Sequence, residues 1–96
     1  MYVVVTYDVA TETPEGRRRL RRVAQACLNY GQRVQKSVFE CAVDETQFFR
    51  LKEALLEEAD LAEDSLRFYR IQEPHKDHIE HFGQRESVDF DGPLIV

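Results

Sequence analysis

The sequence predicts an α+β fold whose elements run βαββαβ, and three observations carry that reading. A β-branched run opens the chain, two helices start with clear caps, and a hairpin-like strand segment lies between them. Tyr2 to Asp8 reads Tyr-Val-Val-Val-Thr-Tyr-Asp. Three consecutive valines suit a strand buried on both faces and hence central in its sheet.

Thr13-Pro14-Glu15 then begins a helix, with Thr as N-cap, Pro in the first helical position and an acid in the first turn. Leu20, Val23, Ala24, Cys27 and Leu28 keep the spacing of one apolar helix face, and Gly31 is placed to stop it. From Arg33 to Val43 the chain is strand material, with Lys36-Ser37 as the bend between two pieces. Asp44 to Gln47 has the form of a capping box. The helix it opens carries Phe48, Leu51 and Leu55 on one side and ends in the acidic stretch from Glu57 to Asp64. Ser65 to Ile71 returns to strand composition, and a short further strand is expected near Ile79 to Gly83.

A four-stranded antiparallel sheet with both helices on one face is the natural packing of this order, the ferredoxin-like arrangement. It leaves the other sheet face bare, although the first strand reads as apolar on both sides. In a chain of 96 residues, a second copy is the simplest cover. The sequence therefore predicts one domain, working as a symmetric homodimer.

The balance of 43% hydrophobic and 32% charged residues is that of a globular chain rather than a disordered one. No apolar run reaches the roughly 20 residues that span a bilayer, and the N-terminal stretch lacks the pattern of a secretory signal. The reading is a cytoplasmic protein without a membrane partner. Cys27 and Cys41 fall in apolar stretches at a separation that fits no metal motif, which predicts two reduced core thiols.

The net charge of −5 hides an asymmetry. Residues 1–50 carry eight Lys/Arg against six Asp/Glu, whereas residues 51–96 carry five against twelve. A polyanion must meet a local basic patch in the first half, and the acidic second half would repel it or face another protein. Arg17, Arg18, Arg19, Arg21 and Arg22 crowd the first helix, and no acid interrupts residues 16 to 39. Guanidiniums so placed grip phosphate oxygens bidentately. Arg18 and Arg22 lie opposite the apolar stripe, Arg19 and Arg21 flank it, and Arg33 and Lys36 extend the patch. A solvated helix face is the competing reading.

Asp8 ends the first strand, where a carboxylate emerging from a sheet can bind a hard cation such as Mg²⁺. One Asp per chain is a poor site, but a twofold axis would bring two together, and a shared ion could activate water for phosphodiester attack. The plainer reading is that Asp8 starts a turn. Tyr7 and Phe39 read as core or dimer-interface residues. Ser37 could be a nucleophile only with a base beside it, and no Ser/His/Asp set is visible. His75, His78 and His81 follow an H-x-x-H-x-x-H pattern but read as polar loop residues rather than metal ligands.

Several stretches resemble a known family. They are Tyr7-Asp8-Val9, the Arg-rich helix, Asn29 to Gln35, Ser37-Val38-Phe39-Glu40-Cys41 and Asp64 to Arg70. Together they resemble the small CRISPR-associated adaptation protein family Cas-two over essentially the whole chain, with the middle closest to members from type I-C systems. The resemblance implies a ferredoxin-like homodimer in antiviral defence whose C-terminal strand crosses to the partner's sheet, so that residues from about 78 to 96 pack on the partner subunit. It implies a metal-dependent endonuclease acting on single-stranded RNA or double-stranded DNA, with Asp8 at the position of the family's metal-binding aspartate. It further implies spacer acquisition, in which the dimer bridges two integrase dimers and holds a DNA duplex along Arg18, Arg22 and Arg33. A non-catalytic scaffold and a ferredoxin-like regulatory ligand-binding module are the alternatives.

Overall fold

In the computed structural model, residues 1–84 are described. Four strands and two helices follow in the order β1 (Tyr2–Asp8), α1 (Pro14–Leu28), β2 (Gln32–Gln35), β3 (Val38–Ala42), α2 (Glu45–Glu58) and β4 (Ser65–Ile71). A single 3₁₀ turn spans His75–Asp77. The sheet order is β2-β3-β1-β4, so the strand richest in valine is an inner one. Every neighbour pair is antiparallel, with Val5 opposite Phe39 on one side and Phe68 on the other.

The helix starts follow from side-chain chemistry. Thr13 Oγ1 accepts from the Gly16 N–H at 3.0 Å, satisfying one of the first-turn donors. At α2, Asp44 accepts from the Gln47 N–H at 2.7 Å, and Gln47 Oε1 accepts from the Asp44 N–H at 2.9 Å. Gly31 plays a different part from the helix stop expected of it. Helix α1 already ends at Leu28 with Asn29 as cap, and Gly31 is not in the left-handed region. Its lack of a side chain serves close packing: a Cβ there would run into the Glu40 carbonyl oxygen and lie 2.5 Å from Cys41 Sγ.

Val3, Val5 and Tyr7 alternate toward the helices and meet Phe39 and Cys41 of β3, Val23 and Cys27 of α1, and Phe48, Leu51 and Leu55 of α2. The period of two in β1 and the 3.6 period in both helices converge on this one core. Cys27 and Cys41 are free, buried thiols within it, and burial pushes both up to about 12.

The other face of the sheet carries no helix. Tyr2, Gln32 and Glu40 are buried there, Val4, Thr6 and Val38 are half-buried, and Arg67 and Tyr69 are exposed. Tyr2 Oη donates to Glu40 Oε1 at 2.7 Å, and the His75 ring stacks on Tyr2 at 4.0 Å. Burial and the Glu40 carboxylate raise the Tyr2 phenol above its usual value. Residues 79–83, expected to add a strand, run without regular secondary structure in the single chain. The expected packing of the tail beyond them falls on residues 85–96, outside the described residues. Among the described residues no helix is long and apolar enough to cross a membrane.

Candidate nucleic-acid and metal site

Asp8 is the last residue of β1, opposite Ser65, and its side chain is exposed. The pairing of β1 with β3 brings the β2–β3 turn to the same end of the sheet. The Tyr7 N–H donates to the Ser37 carbonyl at 3.2 Å, and Tyr7 Oη donates to the Lys36 carbonyl at 3.4 Å. Tyr7 and Phe39 are core residues beneath the helices, their rings 6.1 Å apart. Burial raises the Tyr7 phenol, with the nearby Arg33 guanidinium working the other way. Both aromatic rings thus support the site from below while the backbone of Lys36-Ser37 is tied beside Asp8.

The basic residues of α1, β2 and the turn after it differ in what they meet. Arg18 and Arg21 are exposed and make no ion pair among the described residues. Arg17 is exposed too, with Nη1 donating to the Thr11 carbonyl at 3.1 Å, which keeps it over the loop that follows Asp8. Arg22 Nε donates to Glu58 Oε2 of α2 at 2.7 Å, so its charge is already answered within the chain. Arg33 and Lys36 lie on the sheet edge beside α1; the Arg33 guanidinium sits 5.1 Å from the Phe39 ring centroid and remains exposed. The start of α1 with Arg17 and Arg18 and the β2–β3 turn with Lys36 thus lie at the Asp8 end of the sheet, Arg33 lies within β2, and Arg22 is paired to α2.

Arg19 departs from the expectation of a surface cluster. It is buried against Asp64, with Nε 2.9 Å from Oδ2 and Nη2 3.1 Å from Oδ1. The Asp64 side chain has no solvent exposure. It also accepts from the Ala10 N–H at 3.0 Å and from the Asp60 N–H at 2.9 Å. The Arg19 bond and these backbone donors hold its carboxyl down at about 2. A signal for Arg19 was present in its place beside the apolar stripe, but its partner 45 residues away was not readable from spacing.

Mg²⁺ takes oxygen ligands and accepts one or two carboxylates while keeping several waters. Asp8 supplies one exposed carboxylate per chain, while Asp64, at the neighbouring strand, has no lone pair to spare. Among the described residues no group of three or more His, Cys, Asp or Glu could hold a metal. The donor set of one chain fits half of a shared site. His75 is committed to the Tyr2 stack, so the H-x-x-H-x-x-H pattern makes no ligand set within the chain.

A ferredoxin-like sheet with helices on one face, an exposed acid closing the first strand and an arginine-rich helix after it define a class of small α+β chains. The matches give the class its family. The family described as CRISPR associated protein Cas2 matches residues 1–79. The chain is 55% identical to a CRISPR-associated endoribonuclease Cas2 of Moorella thermoacetica, over the full length of both. It is 53% identical to a CRISPR-associated endonuclease Cas2 of Halalkalibacterium halodurans, covering 99% of each chain. A crystal structure of Streptococcus pyogenes Cas2 superposes with a TM-score of 0.78 at 51% identity, covering 86% of this chain and 100% of that one. The chain belongs to the CRISPR-associated Cas2 family.

Proposed function

We propose that the chain serves CRISPR adaptation as a symmetric dimer that binds duplex DNA and bridges integrase dimers. In the same reading, the paired Asp8 carboxylates hold Mg²⁺ for phosphodiester cleavage of RNA or double-stranded DNA. The observation that carries it is the exposed Asp8 at the end of an inner strand, with the exposed Arg17 and Arg18 in the first turns of the helix that follows and Lys36 in the turn at the same end of the sheet. The names of the relatives, endoribonuclease and endonuclease, support the hydrolytic part. The helix-free sheet face and the unpaired edge of β4 among the described residues support a second copy, which would also lend its C-terminal strand. When bound, Mg²⁺ supplies an activated water. The chain's own residues hold the ion through Asp8 and orient phosphates through Arg17, Arg18, Arg33 and Lys36.

One observation favours the scaffold alone: among the described residues of a single chain no group of three His, Cys, Asp or Glu side chains could hold a metal. Integration of a short duplex into a repeat array by the protein with its integrase, compared between wild type and Asp8→Ala, separates the two. Collapse of integration with duplex binding kept supports a functional metal site. Normal integration by a folded, dimeric variant makes the protein a scaffold in that process.

A further inference from the structure

We infer that Asp64, through Arg19 and Ala10, is the positioning residue that sets where Asp8 points; this rests on the reading of Asp8 as the metal carboxylate. The exit of β1, which Asp8 closes, and the start of β4, which pairs with it, both meet the Asp64 network. On one side, Asp64 immediately precedes Ser65, the residue paired with Asp8. On the other, its Oδ1 accepts the N–H of Ala10, two residues beyond Asp8. Asp64 thereby ties the start of β4 to the exit of β1 across the position that Asp8 occupies.

The tie is braced rather than loose. Four donors converge on one carboxylate: Arg19 Nε and Nη2, the Ala10 N–H and the Asp60 N–H. A carboxylate has about four lone-pair sites, so this one is saturated and has a single orientation. Arg19 adds a planar fork that fixes it from α1. A separate contact holds Ala10 from behind, because a Cβ on Gly16 would overlap the Ala10 carbonyl oxygen. The backbone of Ala10 is therefore clamped at its N–H by Asp64 and abutted at its C=O by α1. Asp8 itself is exposed and makes no side-chain bond among the described residues, so its direction comes from the backbone on either side. A carboxylate that must share an ion with its twin across a dimer axis tolerates little angular error, since misplacement by about 1 Å can cost 10²-fold in rate.

The test uses the full-length dimer with Asp64→Asn and Gly16→Ala. The first removes acceptors while keeping shape; the second displaces Ala10 without touching a charge. Leu55→Ala, in the core of α2, controls for lost stability alone. Mn²⁺ affinity by electron paramagnetic resonance, and kcat and KM on single-stranded RNA and duplex DNA, are measured where all variants remain folded. The expected result is at least a tenfold loss of Mn²⁺ affinity and of kcat in both loop variants, with KM within about twofold and Leu55→Ala close to wild type. Wild-type Mn²⁺ affinity and kcat in folded Asp64→Asn and Gly16→Ala overturn the inference, as does an equal loss in Leu55→Ala. Should Asp64→Asn fail to fold, Arg19→Lys carries the same comparison, keeping the charge and losing the fork. Asp8→Ala with unchanged Mn²⁺ affinity and cleavage sinks the Asp8 reading and this one together; loss in Asp8→Ala without loss in the loop variants sinks this one alone.

Discussion

Arg22 of α1 and Glu58 of α2 form an ion pair of 2.7 Å, so the basic helix does not present all its outward cations to a ligand. Exposed pairs of this kind contribute up to about 1 kcal/mol. Breaking the pair from the acidic side releases Arg22 for phosphate. Glu58→Gln is expected to tighten binding of a short duplex by roughly two- to fivefold. Arg18→Ala is expected to weaken binding and to lower the slope of log K against log salt by about 0.9, the worth of one phosphate contact. Fluorescence anisotropy across a salt series measures both. A wild-type slope in Arg18→Ala removes that residue from the interface.

Asp8→Ala takes away an exposed side chain at a strand end. Its stability is expected within about 0.5 kcal/mol of wild type, as for surface changes away from special features. Metal-dependent cleavage of RNA or duplex DNA should vanish in the same preparation. Retained cleavage with wild-type melting would place the chemistry elsewhere.

The Asp64 carboxyl sits at about 2 in the fold, below the roughly 3.9 of an unfolded chain. The unfolded state therefore binds more protons between these values, and stability rises with pH there. The contribution is complete above about pH 5 and is lost as pH falls toward 2. Thermal melts from pH 7 to 2 should show wild type losing this share, while Asp64→Asn starts lower at pH 7 and falls less steeply. Parallel curves for the two proteins would mean that Asp64 is not held in this way. Removing one partner of so buried a pair costs about 3–5 kcal/mol, which sets the gap expected at pH 7 for Asp64→Ala.

Gly31→Ala should destabilise by about 1–3 kcal/mol, the usual cost of overpacking. Its added methyl meets the backbone of β3 at Glu40 and the sulfur of Cys41, neither of which is a flexible chain end. Urea denaturation at constant m-value reads the loss. An unchanged midpoint would show that α1 can shift away from the sheet at this point.

Cys27 and Cys41 should ignore a thiol reagent at pH 8 in the native protein and react once guanidinium unfolds it. Burial holds both thiols near 12, so almost no thiolate forms in the fold. Rapid native-state labelling would show that the core opens beside β3.

Much of the fold was legible because local chemistry and global packing agree. Thr13 and the Asp44–Gln47 box start helices wherever they fall, and the bend at Lys36-Ser37 separates β2 from β3 where two polar residues interrupt strand composition. Asp8 was legible for the same reason, since a strand's last residue follows from its hydrophobic run. The division of the arginines was not. Arg18 and Arg19 are neighbours of the same type, yet one is exposed and the other is nine-tenths buried.

The sequence alone determined the order of elements, the core faces of α1 and α2, and the place of Asp8 at a strand end. Each of these depends on residues within a few positions of one another. The tertiary structure decided what long-range pairing controls. Asp64 meets Arg19 and Ala10, Glu58 takes Arg22, and Gly31 lies against β3 instead of ending a helix. A charge's role depends on which opposite charge the fold brings within about 3 Å, and no local period encodes a partner 36 to 45 residues away.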